Sequence, residues 1–243
     1  MKYFILLFSA ILMASCTRVS KEQAIVNKSI ETHFNNGLEK VFISFTFRDR
    51  QYTVKRKKDE FVYTRTFKDS TGLVQDILVN STDFTRLING DTIQVSEEWK
   101  RKYTSSVNSV LYFIQLPYLL NDPAVVKKYA GEFTIEGELY DGVAISFQQD
   151  GGGEDHDDQF LFWFHHQNKT MDFFAYSYTE DEGGVRFRKA INKKQVNGIL
   201  FQDYINYEVP VGTPLEIIPD LFESGKLKEL SRIINENIEV TYL

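Results

Sequence analysis

From Val41 to Val95 the chain repeats with a period of two. Val41, Ile43, Phe45 and Phe47 alternate with Phe42, Ser44 and Thr46, and Phe61, Tyr63, Arg65 and Phe67 alternate with Val62, Thr64 and Thr66. Shorter runs cover 73–79, 84–88 and 92–95, separated by Lys57-Lys58-Asp59, Asp69-Ser70-Thr71-Gly72 and Asn89-Gly90-Asp91. Alternation bounded by turn residues predicts an antiparallel meander, not strand–helix–strand units. Two helical patterns interrupt it. Ser20-Lys21-Glu22-Gln23 reads as a capping box, and Val26, Ile30 and Phe34 recur at helical spacing, predicting a helix to about His33. His33, in the last turn, is read as a residue favoured by the helix dipole. After a cap at Ser96, Val107, Val110, Leu111 and Ile114 fall at i, i+3, i+4 and i+7, and Tyr112 and Phe113 make this second helix apolar nearly all round, so it is expected to be buried. Pro117 bends or ends it. Asp122-Pro123 opens a further short helix reaching Tyr129 and closed by Gly131. Strands resume near Phe133 and run to Tyr207, followed by a short helix over Pro219–Glu223 and a closing strand from Ile238 to Leu243.

These elements predict a mostly β (α+β) domain of about ten strands: an antiparallel half-barrel sheet, with an N-terminal helix and helices inserted mid-chain over its concave face. With 243 residues, one sizeable core is within reach. Twenty Phe and thirteen Tyr suit wide half-buried sheets. The formal charge of −6 is spread with interspersed bases, so no basic face for nucleic acid appears and no nucleic-acid partner is expected.

The N-terminus stands apart. Lys2 precedes an apolar run from Tyr3 to Leu12, too short to cross a bilayer and suited to a signal sequence. Met13-Ala14-Ser15-Cys16 then resembles the bacterial lipobox, with Met13 where Leu is usual. Cys16 is the only cysteine, which excludes a disulfide framework and leaves lipidation as a use for the thiol. The reading is a signal peptide over 1–15, a lipidated tether over 16–19 and one domain over 20–243. The chain is then held on a membrane by its lipid, most simply the outer membrane facing the periplasm, with surface display as the variant.

Candidate chemistry is thin. "QQDGGGEDHDDQFLFWFHH" (148–166) offers glycines, acids and histidines together. A phosphate cradle needs a glycine loop opening onto a helix, and this one opens onto a strand and carries acids that repel phosphate. Its acid spacing matches neither the EF-hand loop nor the RTX nonapeptide. His165 and His166 are adjacent on a strand and point to opposite faces, so they do not readily share a metal. The loop from Gly151 to Asp158 reads as a connector. No nucleophile elbow, zinc-helix motif or phosphate-binding loop is present, so no catalytic residues, metal or cofactor are assigned.

Five stretches, "FRDRQY" (47–52), "SVNSVLYFIQLPYLLNDPAVVKKYAGE" (106–132), "FQQDGGGEDHDDQFLFW" (147–163), "AYSYTEDEGGVRFRKAIN" (175–192) and "NGILFQDYINY" (197–207), together resemble a family of lipoproteins common in Bacteroidota that has no established activity. More loosely, "FLFWFHHQNKTMDFFAYSY" and "VNGILF" are similar to strands of the LolA-like and LppX-like half-barrel carriers. That resemblance implies an incomplete barrel around a helix-lined apolar cavity for acyl chains. Under it, Phe45, Phe47, Tyr63, Val107, Val110, Leu111, Ile114 and Trp163 become the expected lining, and an acyl chain or lipoprotein tail the expected ligand. The competing expectation is a non-catalytic structural or interaction lipoprotein, in which Arg65, Arg186, Arg188 and Asp203 are polar site candidates or simply cross-strand ion pairs.

Overall fold

The computed structural model describes residues 19–35, 37–58, 60–148, 158–179 and 183–243. Cys16, the expected signal sequence over 1–15 and nearly all of the 151–158 loop lie outside the described residues. Helix α1 (Lys21–His33) opens with Ser20 as cap, whose side chain accepts from the Gln23 amide at 3.4 Å. Six strands follow: β1 (Lys40–Phe47), β2 (Arg50–Lys57), β3 (Glu60–Asp69), β4 (Gly72–Val79), β5 (Asp83–Ile88) and β6 (Asp91–Ile93). Helix α2 (Glu97–Phe113) is capped by Ser96. Then come β7 (Val125–Ile135), β8 (Glu138–Phe147), β9 (Gln159–His165), β10 (Met171–Tyr178), β11 (Gly184–Val196), β12 (Ile199–Val209), α3 (Ile218–Glu223), β13 (Lys228–Ile233) and β14 (Asn235–Tyr242).

The strands form two open seven-stranded antiparallel sheets, ordered β14-β1-β2-β3-β4-β5-β6 and β13-β12-β11-β10-β9-β8-β7. The expectation of about ten strands undercounts them. β14 closes the first sheet by pairing with β1, while Asn197, in the β11–β12 turn, donates to the Val240 carbonyl at 3.1 Å and ties the sheets together.

One predicted helix is a strand. Residues 123 and 124 form a turn and 125–129 begin β7, which pairs with β8 from Val125 to Ile135. Two adjacent valines fit a pleated surface, and Gly131, at φ 115°, sits at a bulge in that ladder rather than ending a helix.

The first sheet buries one face. Val41, Ile43, Tyr52, Val54, Tyr63 and Leu78 gather there with Val107 and Leu111 of α2. The second sheet buries both. On β9, Phe160, Phe162 and Phe164 pack toward α1 and α2, while Leu161 and Trp163 face the opposite side, covered by Leu215, Ile218 and the partly buried Phe222. Covering on both sides explains why "FLFWF" is an unbroken apolar run instead of an alternating one. Gly142 lies directly across from Trp163, and an added Cβ there would meet the Phe133 ring at 2.4 Å; the missing side chain lets Phe133 meet Trp163 edge-on at 5.8 Å.

His33 is not a charged residue on a helix end. It is buried, its Nδ1–H donates to the Leu200 carbonyl, and its Nε2 accepts from the Met171 amide, both at 3.1 Å. Burial holds its pKa down at about 4, so it is a neutral clamp joining α1 to the second sheet.

Candidate functional site: a cavity between the two sheets

Helix α2 touches both sheets. Val107 and Leu111 sink into the first, whereas Tyr112 and Phe113 reach the aromatic face of the second. Its flank between them stays only half-buried, at Val110 and Ile114, because it borders a cavity of about 830 Å³. The expectation that α2 is buried all round is therefore corrected: one side packs and another lines space. A volume of this order is ordinary for small-molecule and cofactor sites. Phe47, Phe61 and Tyr63 line it from the first sheet, and Phe147, Phe160, Tyr176 and Tyr204 from the second.

The expected lining residues divide. Phe47, Tyr63, Val110 and Ile114 border the cavity. Phe45, Val107 and Leu111 lie beneath its wall in solid core, Phe45 stacked on Tyr52 at 5.5 Å. Trp163 lies on the far face of the second sheet, wedged against Phe133 and Phe187, and has no part in the lining. Alternation along β9 sends it there, since its neighbours Phe162 and Phe164 take the inner face. At Tyr63 the hydroxyl accepts from Gln115 Nε2 at 2.8 Å, and burial pushes the phenol pKa up, so it stays neutral.

The polar candidates do not assemble into one site. Arg65 Nε and Nη2 donate to Asp76 Oδ2 at 2.9 and 2.6 Å, and its Nη1 donates to Ser106 Oγ at 2.7 Å. Asp76 is completely buried and also accepts from Arg86 at 2.7 and 3.0 Å. Arg65 thus seats α2 on the sheet through Ser106, held by Asp76, which Arg86 also grips; the sequence reading missed both Asp76 and Arg86. The signal was faint but present: Asp76 lies directly across a hairpin from Arg65, and Arg86 across the next. Asp203 accepts from the Asn235 amide at 2.8 Å and from Asn192 at 3.0 Å, which fixes the start of β14. Arg186 is half-buried, bonds its neighbour's carbonyl at Val185 and lies 5.3 Å from the Tyr178 ring. Neither Arg186 nor Arg188 is ion-paired with Asp203, because the register sets Asp203 opposite Ile191, Arg188 opposite Asn206 and Arg186 opposite Glu208.

Arg188 alone of these four borders the cavity. It is 9% exposed, its guanidinium carbon is 4.1 Å from the Phe113 ring centre, 5.2 Å from Tyr176 and 5.4 Å from Phe174, and its Nη2 donates to the Tyr176 hydroxyl at 2.9 Å. Its Nε is buried without a partner. Among the described residues, no group of three or more His, Cys, Asp or Glu could hold a metal ion, and no helix is long and apolar enough to cross a membrane.

Two open antiparallel sheets with a helix and a cavity between them make an open half-barrel fold. A LolA superfamily protein from Nitrosomonas europaea superposes with a TM-score of 0.52 over 91% of this chain and 94% of its own, at 13% identity. The LppX lipoprotein of Mycobacterium tuberculosis matches over 64% of this chain and 87% of its own, with a TM-score of 0.26 and 11% identity. No curated protein matches. A family profile matches residues 1–235, and the chain belongs to that family, DUF6503, a family of unknown function.

Proposed function

We propose that this protein is a membrane-anchored envelope lipoprotein that holds an acyl chain in the cavity between its sheets. The observation that carries this reading is the cavity of about 830 Å³, walled by aromatic rings of both sheets and by the half-buried Val110–Ile114 flank of α2. The fold likeness to a LolA superfamily protein supports it. Lipid on Cys16, following Met13-Ala14-Ser15, supplies the anchor, with the domain in the cell envelope on the outer membrane.

An acyl chain offers no hydrogen bonds, so affinity comes from buried methylenes at about 0.8 kcal/mol each, roughly fourfold in Kd per methylene. The test is binding of fluorescent fatty acids of graded length. Affinity is expected to fall steadily as the chain shortens, and Val110→Trp, which narrows the cavity from α2, is expected to weaken binding of the longest chains most while the protein stays folded. A folded wild-type protein that binds none of the series refutes the acyl reading and moves the function to a surface contact with another protein.

A further inference from the structure

The cavity is not uniformly apolar, and its polar atoms have a direction. Arg188 sits on its wall with roughly nine-tenths of its surface buried, yet among the described residues it makes no ion pair. A buried guanidinium without a counter-charge is costly, and natural chains pair it or use it. Its one hydrogen bond, to the Tyr176 hydroxyl, leaves Nε unpartnered, while Phe113, Phe174 and Tyr176 surround the cation with ring faces. Three rings hold the charge in place but supply no anion. Asn206, directly across the ladder from Arg188, borders the same cavity and has a buried Oδ1 without a partner, its Nδ2 being given to Ser231 at 3.3 Å.

The remaining charges lean the same way. The described lining carries Arg48, Arg56, Lys100 and Arg101 besides Arg188, against Glu97, Asp122 and Asp158, in a chain whose net charge is −6. Arg56 repeats the pattern from the opposite sheet: its Nε is buried and unpartnered, and its guanidinium lies 5.0 Å from the Phe61 ring. Basic residues are concentrated where the chain as a whole is acidic, which favours an anionic guest.

We propose that the ligand is an acidic amphiphile whose anionic head, a carboxylate or a phosphate monoester, is bound by Arg188 while its acyl chain lies along the aromatic wall. Asn206 Oδ1 takes a hydroxyl or amide hydrogen next to that head when the ligand has one. This deepens the acyl-binding reading and rests on it. It also separates two guests of one cavity: a neutral acylated N-terminus leaves Arg188 without an anion, whereas a fatty acid or a phosphatidic-acid-like lipid satisfies it by a charge-assisted, forked contact.

The full-length protein in phosphatidylcholine nanodiscs is photolabelled with three diazirine probes: palmitate, hexadecanol and phosphatidic acid. Labelled peptides are then read by mass spectrometry. In the wild type, palmitate or phosphatidic acid is expected to label the α2 and β10–β12 peptides roughly tenfold or more above hexadecanol, in keeping with the strength of charge-assisted contacts. Whichever acidic probe dominates identifies the head as carboxylate or phosphate. Arg188→Gln is expected to bring the acid-to-alcohol ratio toward one, and Arg188→Lys to restore part of it. Equal labelling by all three probes in the wild type overturns the anionic-head inference and leaves the acyl cavity standing. No cavity labelling by any probe overturns both. If Arg188→Gln fails to fold, the wild-type ratio still decides.

Discussion

Lowering the pH should loosen the molecule at one identifiable joint, His33. Its ring is buried where α1 meets the second sheet, with Nδ1–H given to Leu200 and Nε2 accepting from Met171. Protonating Nε2 would destroy the second bond and leave a buried charge. Burial is the main cause of its lowered pKa, about 4 against the ordinary 6.5, with Asp172 opposing the shift and Lys193 adding to it. As pH falls through 6.5 the unfolded chain takes up a proton at this position, and the folded chain does not until about 4. The stabilisation is therefore fully present above 6.5, declines between 6.5 and 4, and is gone below. The difference is worth about 3 kcal/mol in all, of which about 2 kcal/mol is lost by pH 5. The assay is urea unfolding at several pH values from 7.5 to 5, comparing wild type with His33→Gln. The variant can still donate and accept at this joint but cannot titrate. It should start less stable and lose about 2 kcal/mol less than wild type across that range. Equal losses in the two proteins would refute the neutral-clamp account.

Two other outcomes follow from particular contacts. Asp76→Ala leaves the Arg65 and Arg86 guanidinium groups without their shared carboxylate, Arg65 being almost wholly buried, and should cost about 3–5 kcal/mol in denaturant unfolding; a loss below 1 kcal/mol would show that the triad contributes little. Cys16→Ala should move the protein from the membrane fraction to the soluble fraction or leave uncleaved precursor, and unchanged membrane retention of a processed chain would remove the lipid-anchor proposal.

What could be read from the sequence was the local order. The capping residues Ser20 and Ser96, the period-two meander and the helical spacing of Val107, Val110, Leu111 and Ile114 each follow from short-range geometry, and each stands in the structure. What could not be read depends on which face of a strand meets which neighbour. Along β9 every residue from Phe160 to Phe164 is apolar and buried, so periodicity offers no way to tell the inner phenylalanines from Trp163 on the outer face. The segment after Asp122 misled for another reason. Pro123 and a downstream Gly131 mimic helix punctuation, while the pairing with β8 that makes it a strand is a long-range fact. Arg188 was visible as a strand residue, but its lack of an ion pair depends on a register that sets Asn206, not Asp203, beside it.

Polar contacts to the first sheet help to keep the cavity open by fixing where α2 sits. Apolar packing alone has no fixed register and would let the helix settle until the space closed. The Arg65 fork resists this, since it fixes Ser106 at 2.7 Å and anchors itself in the buried Asp76, which Arg86 also grips. Arg86 in turn lies 3.4 Å from the centre of the Tyr103 ring, one turn earlier on the same helix. With 103 and 106 set from the first sheet, Val107 and Leu111 must point into that sheet, and Val110 and Ile114 are left beside the cavity. Phe113, at the helix end, then meets the second sheet on Phe174, 5.6 Å away, and on Arg188. Two arginines thus meet one helix with different duties, Arg65 at its middle through Ser106 and Arg188 at its end over Phe113. Arg65 has its carboxylate in Asp76 and sets the wall; Arg188 has no ion pair among the described residues and faces the space that the wall keeps open. Removing the first should cost the fold, and removing the second should cost the preference for an acidic ligand.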